Sequence, residues 1–300
     1  MRGQDITDLI LLAAIWGSSF LFIRLGVADF GPFALMAVRT GIGALILLPI
    51  LFWRHAFPDL VRHWKPVFLV GIINAAIPFS LLAYAAFTIP AGVLAILNSA
   101  TPLWGAVFAW VWLKDLLPPL RIAGLVIGFL GIVMLVWDEL EVDALLGSGL
   151  GLTAGLLAPM SYGFSATFTK RYLMGVRSAA VATGALLSST LVLMPLAWLT
   201  WPVLPPTTRG WGALFMLAVL CTAVTYIIFY RLVMNVGPAK ASTVTLLIPV
   251  FGVLWGWMWL GEEVSWLILV ATTIILVGTA LATGILGERF WFGRRRQRKN

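Results

Sequence analysis

Long apolar runs separated by short polar segments constrain this 300-residue chain more than any other feature of its sequence. An α-helix needs about 20 apolar residues to cross a bilayer, and only helices or closed barrels pair every backbone group there. The alternation typical of barrel strands is absent, so we predict an all-α polytopic membrane protein with ten transmembrane helices. The predicted spans lie near residues 7–27, 32–53, 66–87, 91–113, 120–137, 147–170, 178–200, 210–234, 240–260 and 264–287.

The composition supports the same class. Hydrophobic residues make up 61% of the chain, charged residues 11%, and the mean hydropathy is +1.01. Soluble domains are closer to half apolar and a quarter charged, so a soluble enzyme is excluded. One cysteine, Cys221, rules out a disulfide framework and a thiolate metal cluster.

The distribution of Lys and Arg predicts the orientation in the membrane. All but three of the 20 basic residues fall in alternate loops, in the amino-terminal segment or in the carboxyl-terminal tail, which the positive-inside rule assigns to the cytoplasm. The exceptions are Arg24, Arg39 and Arg209. We therefore predict a multi-pass protein of the cytoplasmic (inner) membrane with both termini in the cytoplasm.

Several other function classes find no support in the sequence. The basic tail directly follows the last span, a position typical of topology signals or contact with anionic membrane lipid, so no nucleic-acid partner is expected. A phosphate-binding G-x-x-x-x-G-K-S/T loop and an H-E-x-x-H metal motif are absent from the sequence. His55, Asp59 and His63 have helical spacing, but they lie in a charged loop. We predict no enzymatic activity, no cofactor and no metal site.

The two halves of the chain resemble each other. PLWGAVFAWVWL at 102–113 aligns with PVFGVLWGWMWL at 249–260, an offset of 147, and WGSSFLFIR from Trp16 aligns with YGFSATFTK from Tyr162, an offset of 146. Proline, glycine and tryptophan coincide, which shared apolar composition does not explain. The pairs include Pro102/Pro249, Gly105/Gly252, Trp110/Trp257, Asp115/Glu262, Gly17/Gly163, Arg24/Lys170, Pro49/Pro195 and Tyr84/Tyr230.

An ancestral unit of five helices accounts for these coincidences. Because five is odd, the second copy enters the membrane in the opposite sense, which makes an inverted repeat with a natural binding site near the midplane. We predict a first repeat at 1–137, an acidic outer linker at 138–146, a second, inverted repeat at 147–287 and a basic cytoplasmic tail at 288–300.

These motifs carry a family resemblance over nearly the whole chain. The WGSSF start with Arg39 in the second helix, and the ends of the fourth and ninth helices, resemble the EamA-type repeats of the drug/metabolite transporter superfamily. The chain is similar to the YddG-type amino-acid exporters of that superfamily. The resemblance implies a secondary transporter with a small-molecule substrate, transport outward, and a pathway surrounded by helices 1, 3, 4, 6, 8 and 9, with helices 5 and 10 peripheral.

Acids, lysines and histidines are absent from the middle of the predicted spans. Proton-driven carriers usually hold a titrating group there, and a sugar-phosphate carrier would need buried cations. Arg39 lies about two turns from an outer helix end, a distance over which its side chain can snorkel to the interface. A neutral or zwitterionic solute that moves without proton coupling fits best, and helix-end carboxylates are the alternative for coupling.

Two prolines suggest a central cavity. A proline frees the carbonyl four residues earlier, so Pro102 frees Asn98 and Pro249 frees Thr245, and these positions correspond under the repeat. We therefore expect both prolines to be hinges, and Asn98, Ser242 and Thr245 to contact the substrate. The alternative is that the helices only kink and pack.

Further candidates share helix faces or repeat positions. Trp16 and Tyr162 are equivalent in helices 1 and 6, and aromatic walls of this kind suit a large apolar substrate side chain. Each aromatic residue alone also fits packing or an interface belt. The remaining predicted binding residues are Ser80 and Tyr84 of helix 3 and Thr222 and Tyr226 of helix 8.

From these residues we expect export of amino acids, including large or aromatic ones, by alternating access. Export of other small metabolites or drugs, with or without proton coupling, is the first alternative. An intramembrane enzyme or a lipid scramblase is the alternative from another class.

Overall fold

The computed structural model describes residues 3–143, 149–237 and 241–284, and its regular elements in those ranges are helices. The all-helical fold is therefore confirmed. Besides a short loop helix, Phe57–Arg62, the described chain forms these longer helical segments: α1 (3–30), α2 (32–53), α3 (Trp64–Ala85), α4 (Ala91–Leu113), α5 (Pro119–Asp143), α6 (Gly149–Tyr172), α7 (Ser178–Leu199), α8 (208–236), α9 (242–260) and α10 (Trp266–Ala282).

Residues Gly3–Trp53 form one helical stretch that is broken at Gly31. The backbone there has φ 70° and ψ 169°, which glycine adopts without steric penalty, and Pro32 follows. A Cβ on Gly26 would lie only 2.8 Å from Leu35 Cδ1, so α1 and α2 turn back on each other at this point. The stretch therefore contains the first two predicted spans.

Seven of the described helices are long and apolar enough to cross a membrane, and the broken Gly3–Trp53 stretch is counted among them as one. Trp266–Ala282 is apolar but shorter. The segments α1 to α10 follow the predicted spans in order, with ends that differ by a few residues. The number of ten crossings itself stays a prediction.

The predicted acidic linker lies only partly within the described residues, and the predicted basic tail lies outside them. Helix α5 continues to Asp143, so the first part of the predicted acidic linker is helical. Residues 144–148 and the predicted basic tail, 288–300, lie outside the described ranges.

Helices α4 and α9 are interrupted at corresponding places. The first part of α4 ends at Asn98, and a new helix begins at Thr101 after a two-residue turn. In α9 a 3-10 turn, Ser242–Leu246, precedes the helix that begins at Ile248. Residues 99–100 and 246–247 are related by the offset of 147 found in the sequence. At each interruption the backbone hydrogen bonds include shorter i→i−3 pairs, from Ala100 N–H to the Leu97 carbonyl (3.1 Å) and from Leu247 N–H to the Val244 carbonyl (2.9 Å).

Helices α3 and α8 also share an irregularity. The residues Ile72–Ala76 of α3 and Met216–Val224 of α8 are wound as π-helix. An offset of 146 places the first segment over 218–222, inside the second. Wider turns of this kind occur often at functional sites, because they redirect the side chains that flank them.

Glycines allow the closest contacts between helices. A Cβ on Gly278 of α10 would lie 2.5 Å from Gly128 Cα of α5, so these two backbones touch. Gly17 of α1 meets Gly252 of α9, and Gly163 of α6 meets Gly105 of α4. The last two contacts join equivalent residues of the two halves, so helix pair α1/α9 packs as helix pair α6/α4 does.

Candidate substrate-binding site

A buried arginine lies at the centre of the candidate site. Arg39 is on α2, roughly 12 Å along the helix from the break at Gly31. Only 6% of its surface is exposed. The side chain is therefore packed inside the protein and does not snorkel along its surface. The packed side chains of α3 and α8 hold the guanidinium inside the bundle instead.

The contacts of Arg39 come from three helices. Its Nε donates a hydrogen bond of 3.1 Å to the hydroxyl of Thr222 on α8. The guanidinium carbon lies 4.1 Å from the ring centre of Phe79 on α3, a cation–π contact. An Nη1 group approaches the sulfur of Met36 on α2 at 3.8 Å. We name Arg39, Phe79, Tyr162, Thr222 and Tyr226 the Arg39 cluster.

The Arg39 cluster contains three of the predicted binding residues. Thr222 is buried, and its hydroxyl also donates to the Leu217 carbonyl at 2.9 Å. The ring of Tyr162 on α6 packs edge-on against Phe79, with 6.3 Å between ring centres. Tyr162 and Tyr226 both interact electrostatically with the guanidinium of Arg39. Helices α2, α3, α6 and α8 therefore converge on one polar and aromatic cluster.

Arg39 and Phe79 were not predicted as binding residues. A signal was present for Arg39, because an ionisable residue within a span is expensive to bury and commonly has a functional role. The sequence offers no comparable indication for Phe79, since a phenylalanine in an apolar helix is expected only to pack against neighbouring side chains. Only the tertiary structure brings its ring over a cation.

Trp16 lies in a different aromatic contact from its repeat equivalent Tyr162. It is partly buried and packs against Phe229 of α8, with 5.4 Å between ring centres. The nearby Trp255 of α9 donates its indole N–H to the Ala14 carbonyl at 3.0 Å. Trp16 therefore lies where α1 approaches α8 and α9.

Asn98 ends the first part of α4 and has two notable oxygens. Its backbone carbonyl accepts a 2.8 Å hydrogen bond from the Thr101 hydroxyl, because Pro102 offers no N–H. Its side-chain Oδ1 is buried, with no hydrogen-bond partner among the described residues. Pro102 occupies the second position of the new helix, where a missing N–H costs least. Pro102 therefore lies at a break between two helices and does not kink a continuous helix.

The equivalent region of α9 holds the other predicted polar contacts. Thr245 is partly buried within the 3-10 turn, and Pro249 is the second residue of the helix that follows. The side chain of Ser242 lies outside what the structure describes. A Cβ on Gly252 would overlap Ala95 of α4. The part of α9 that follows its 3-10 turn therefore packs closely on the first part of α4.

Ser80 and Tyr84 lie in a separate groove. They line a space of about 350 Å³ between α2, α3 and α7, whose other walls are almost wholly apolar. The Ser80 hydroxyl is buried without a partner among the described residues, and Tyr84 is 43% exposed. Ser80 directly follows Phe79 of the Arg39 cluster in α3, but it lines this groove together with Tyr84 rather than the space around the guanidinium. Their predicted role in binding has no geometric support beyond this groove.

The helix-end carboxylates considered for proton coupling all have basic partners. Asp8 of α1, which is buried, forms two hydrogen bonds with Arg231 of α8, the longer of them 2.9 Å. Asp115, just after α4, lies 2.7 Å from Lys170. Glu262, just after α9, lies 3.7 Å from Arg24.

Comparison with known proteins places these features in a family. The sequence model of the EamA-like transporter family matches residues 7–137 and 149–284. The chain is 23% identical over 293 residues to the transporter YoaV of Bacillus subtilis (strain 168), covering 96% of this chain and 97% of YoaV. It is 28% identical over 280 residues to the inner membrane transporter YedA of Escherichia coli (strain K12), covering 92% and 89% respectively. Neither name states a substrate.

A solved crystal structure has the same fold. It superposes with a TM-score of 0.65 and 20% sequence identity, over 97% of this chain and 100% of that one. The match of the family model to both parts of the chain coincides with the two repeats predicted from the sequence.

Proposed function

Since the chain belongs to the EamA-like transporter family and is a multi-pass membrane transporter, we propose that it exports amino acids, large or aromatic ones included, by alternating access. We also propose that it works in the inner membrane with both termini in the cytoplasm, and that proton coupling is not required. Each half of the chain is one repeat, and the substrate binds between the repeats.

The paired interruptions of α4 and α9 carry this proposal. Transporters built from inverted repeats bind substrate where two equivalent helices are unwound near the midplane. Unwound backbone at membrane depth is tolerated where it faces protein or a water-filled cavity. The unpartnered Oδ1 of Asn98, at the end of the first part of α4, supports a polar surface there. An α-ammonium group is a suitable partner for such oxygens.

The Arg39 cluster supports the aromatic part of the proposal. Tyr162 and Phe79 are in edge-to-face contact at 6.3 Å, and Tyr226 follows Thr222 by four residues in α8, so the two share a helix face. Rings at this spacing offer both apolar surface and hydroxyl groups to a solute. Trp16 and Phe229 extend the aromatic surface toward α1.

Direct flux measurement tests the substrate class. The purified protein is reconstituted into liposomes, and uptake of radiolabelled phenylalanine, methionine and threonine is recorded against empty liposomes. We expect saturable flux, with phenylalanine and methionine preferred to threonine. If unlabelled metabolites or drugs compete and these amino acids do not, the protein carries other solutes. Movement of labelled lipid without solute flux indicates a scramblase, and a chemically altered solute indicates an enzyme.

Two neighbouring substitutions test the role of the α4 break. Asn98→Leu removes the unpartnered amide, and we expect it to abolish flux while the protein remains monodisperse in detergent. Ser99→Ala is the matched control, because the Ser99 hydroxyl bonds to the Ile96 carbonyl of its own helix at 2.6 Å. Unchanged flux in Asn98→Leu contradicts the assignment of Asn98 to the substrate site.

A further inference from the structure

A buried guanidinium without a carboxylate partner needs an explanation. Among the described residues, Arg39 has no acidic side chain within 4 Å, whereas four other basic residues form ion pairs. Burying an unpaired charge in an apolar interior is costly, so buried charges are normally paired. The contacts with Phe79 and Thr222 offset part of that cost and leave the positive charge uncompensated.

The donors of Arg39 are also incompletely used. A guanidinium has five N–H groups in a planar fork. The described residues accept from Nε, through Thr222, and from Nη1, through the weakly accepting sulfur of Met36. The groups on Nη2 have no acceptor among the described residues, so the fork is available for an anion that binds through two oxygens.

The setting holds the fork in a defined position. Phe79 covers the guanidinium at 4.1 Å, and Thr222 fixes Nε at 3.1 Å. The ring of Tyr162 on α6 packs edge-on against Phe79, with 6.3 Å between ring centres, and so supports the ring that covers the guanidinium. A bidentate arginine–carboxylate pair requires a planar, fixed fork, and burial strengthens it.

We propose that Arg39 binds the carboxylate of the transported solute, which makes carboxylate-bearing compounds the substrate class of the site. This inference rests on the proposed transport function and sharpens it. The solute carboxylate neutralises the buried cation, so amines that lack a carboxylate are excluded. The aromatic rings of the Arg39 cluster then surround the part of the solute next to the carboxylate.

Analogue competition on the unaltered protein tests the proposal without any substitution. Liposomes containing the protein take up radiolabelled phenylalanine in the presence of 3-phenylpropionate, which lacks the amine, or phenethylamine, which lacks the carboxylate. We expect 3-phenylpropionate to inhibit at concentrations about tenfold or more below phenethylamine, as the loss of a charged hydrogen-bond pair implies. Equal inhibition by both compounds overturns the assignment while leaving amino-acid transport intact.

A substitution pair adds a second test. Arg39→Met removes the charge at similar length, and Arg54→Met is the control, because Arg54 is exposed and lies over Trp53. Thermal stabilisation in detergent reports binding of phenylalanine, 3-phenylpropionate and phenethylamine. We expect both carboxylates to stabilise the parent protein and Arg54→Met but not Arg39→Met. Should Arg39→Met fail to fold, the competition experiment decides alone.

The two tests separate the two proposals. If the parent protein moves none of the amino acids but the carboxylates stabilise it through Arg39, the amino-acid proposal fails and the carboxylate site stands. If amino acids are transported and Arg39→Met keeps its preference for carboxylates, the carboxylate site fails.

Discussion

Lys170 donates a hydrogen bond of 2.7 Å to Asp115, and this ion pair ties α6 to the end of α4. The positions that correspond to them in the other half are Arg24 and Glu262, which approach to 3.7 Å between α1 and the end of α9. Under the predicted topology, one pair lies at the cytoplasmic face and the other at the outer face. The two pairs thus link equivalent helices at opposite ends of the bundle.

The two pairs differ in burial, which predicts different effects on stability. The side chain of Glu262 is 11% exposed and accepts hydrogen bonds from the backbone N–H groups of Ala91 (2.7 Å) and Gly92 (2.9 Å) at the start of α4. Asp115 is 45% exposed. We expect Glu262→Ala to cost about 1–3 kcal/mol by leaving N–H groups unpaired, and Asp115→Ala under about 1 kcal/mol.

Thermal unfolding of the two purified variants in the same detergent checks this order. A larger loss for Asp115→Ala than for Glu262→Ala would show that the outer carboxylate does not hold the start of α4.

Close approach of α4 and α6 predicts an asymmetry between two glycines in contact. A Cβ on Gly163 would lie 2.6 Å from the Gly105 nitrogen, whereas a Cβ on Gly105 would have its nearest neighbours at 3.9 Å. We expect Gly163→Ala to destabilise the protein by about 1–3 kcal/mol and to reduce flux, because the helices must separate.

Gly105→Ala is the matched control and should leave both properties nearly unchanged. Unfolding temperature and flux are measured on both variants, and equal tolerance of the two substitutions would contradict the observed contact.

Asp8 and Arg231 predict coupling between α1 and α8. The Asp8 side chain is 8% exposed and that of Arg231 60%, so removal of the arginine leaves a nearly buried carboxylate without its cation. We expect Arg231→Met to cost about 1–3 kcal/mol, and the double variant Asp8→Asn/Arg231→Met to cost less than the sum of the single changes. A double-mutant cycle of unfolding free energies measures the coupling. Additive losses would mean that the pair contributes nothing to stability.

Ion pairing of the helix-end carboxylates predicts flux without a proton gradient. Asp8, Asp115 and Glu262 each form an ion pair with a basic side chain, so none is an unpaired carboxylate in the structure. Phenylalanine flux in liposomes should therefore be the same with and without an imposed pH gradient. Flux that appears only with the gradient contradicts this expectation, and Asp8→Asn, Asp115→Asn and Glu262→Gln then identify the coupling residue.

Much of this protein is readable from its sequence, because a membrane restricts the backbone to few structures. The length and order of the apolar runs predicted the helices. The positions of Pro102 and Pro249 predicted where α4 and α9 depart from regular helix. The sequence also predicts Thr222, Tyr162 and Tyr226 as binding residues, and these belong to the Arg39 cluster. Local rules suffice for the helices and their breaks, and the internal repeat adds Tyr162 as the equivalent of Trp16.

The tertiary structure alone decided how those helices combine. Whether Arg39 reaches the interface or points inward depends on what α3 and α8 place beside it, and Phe79 and Thr222 lie 40 and 183 residues away in the chain. The grouping of Ser80 and Tyr84 with α7, and of Glu262 with the start of α4, likewise comes from packing between distant segments. The periodicity of a helix tells which residues share a face, but the partner that covers that face is set by long-range packing.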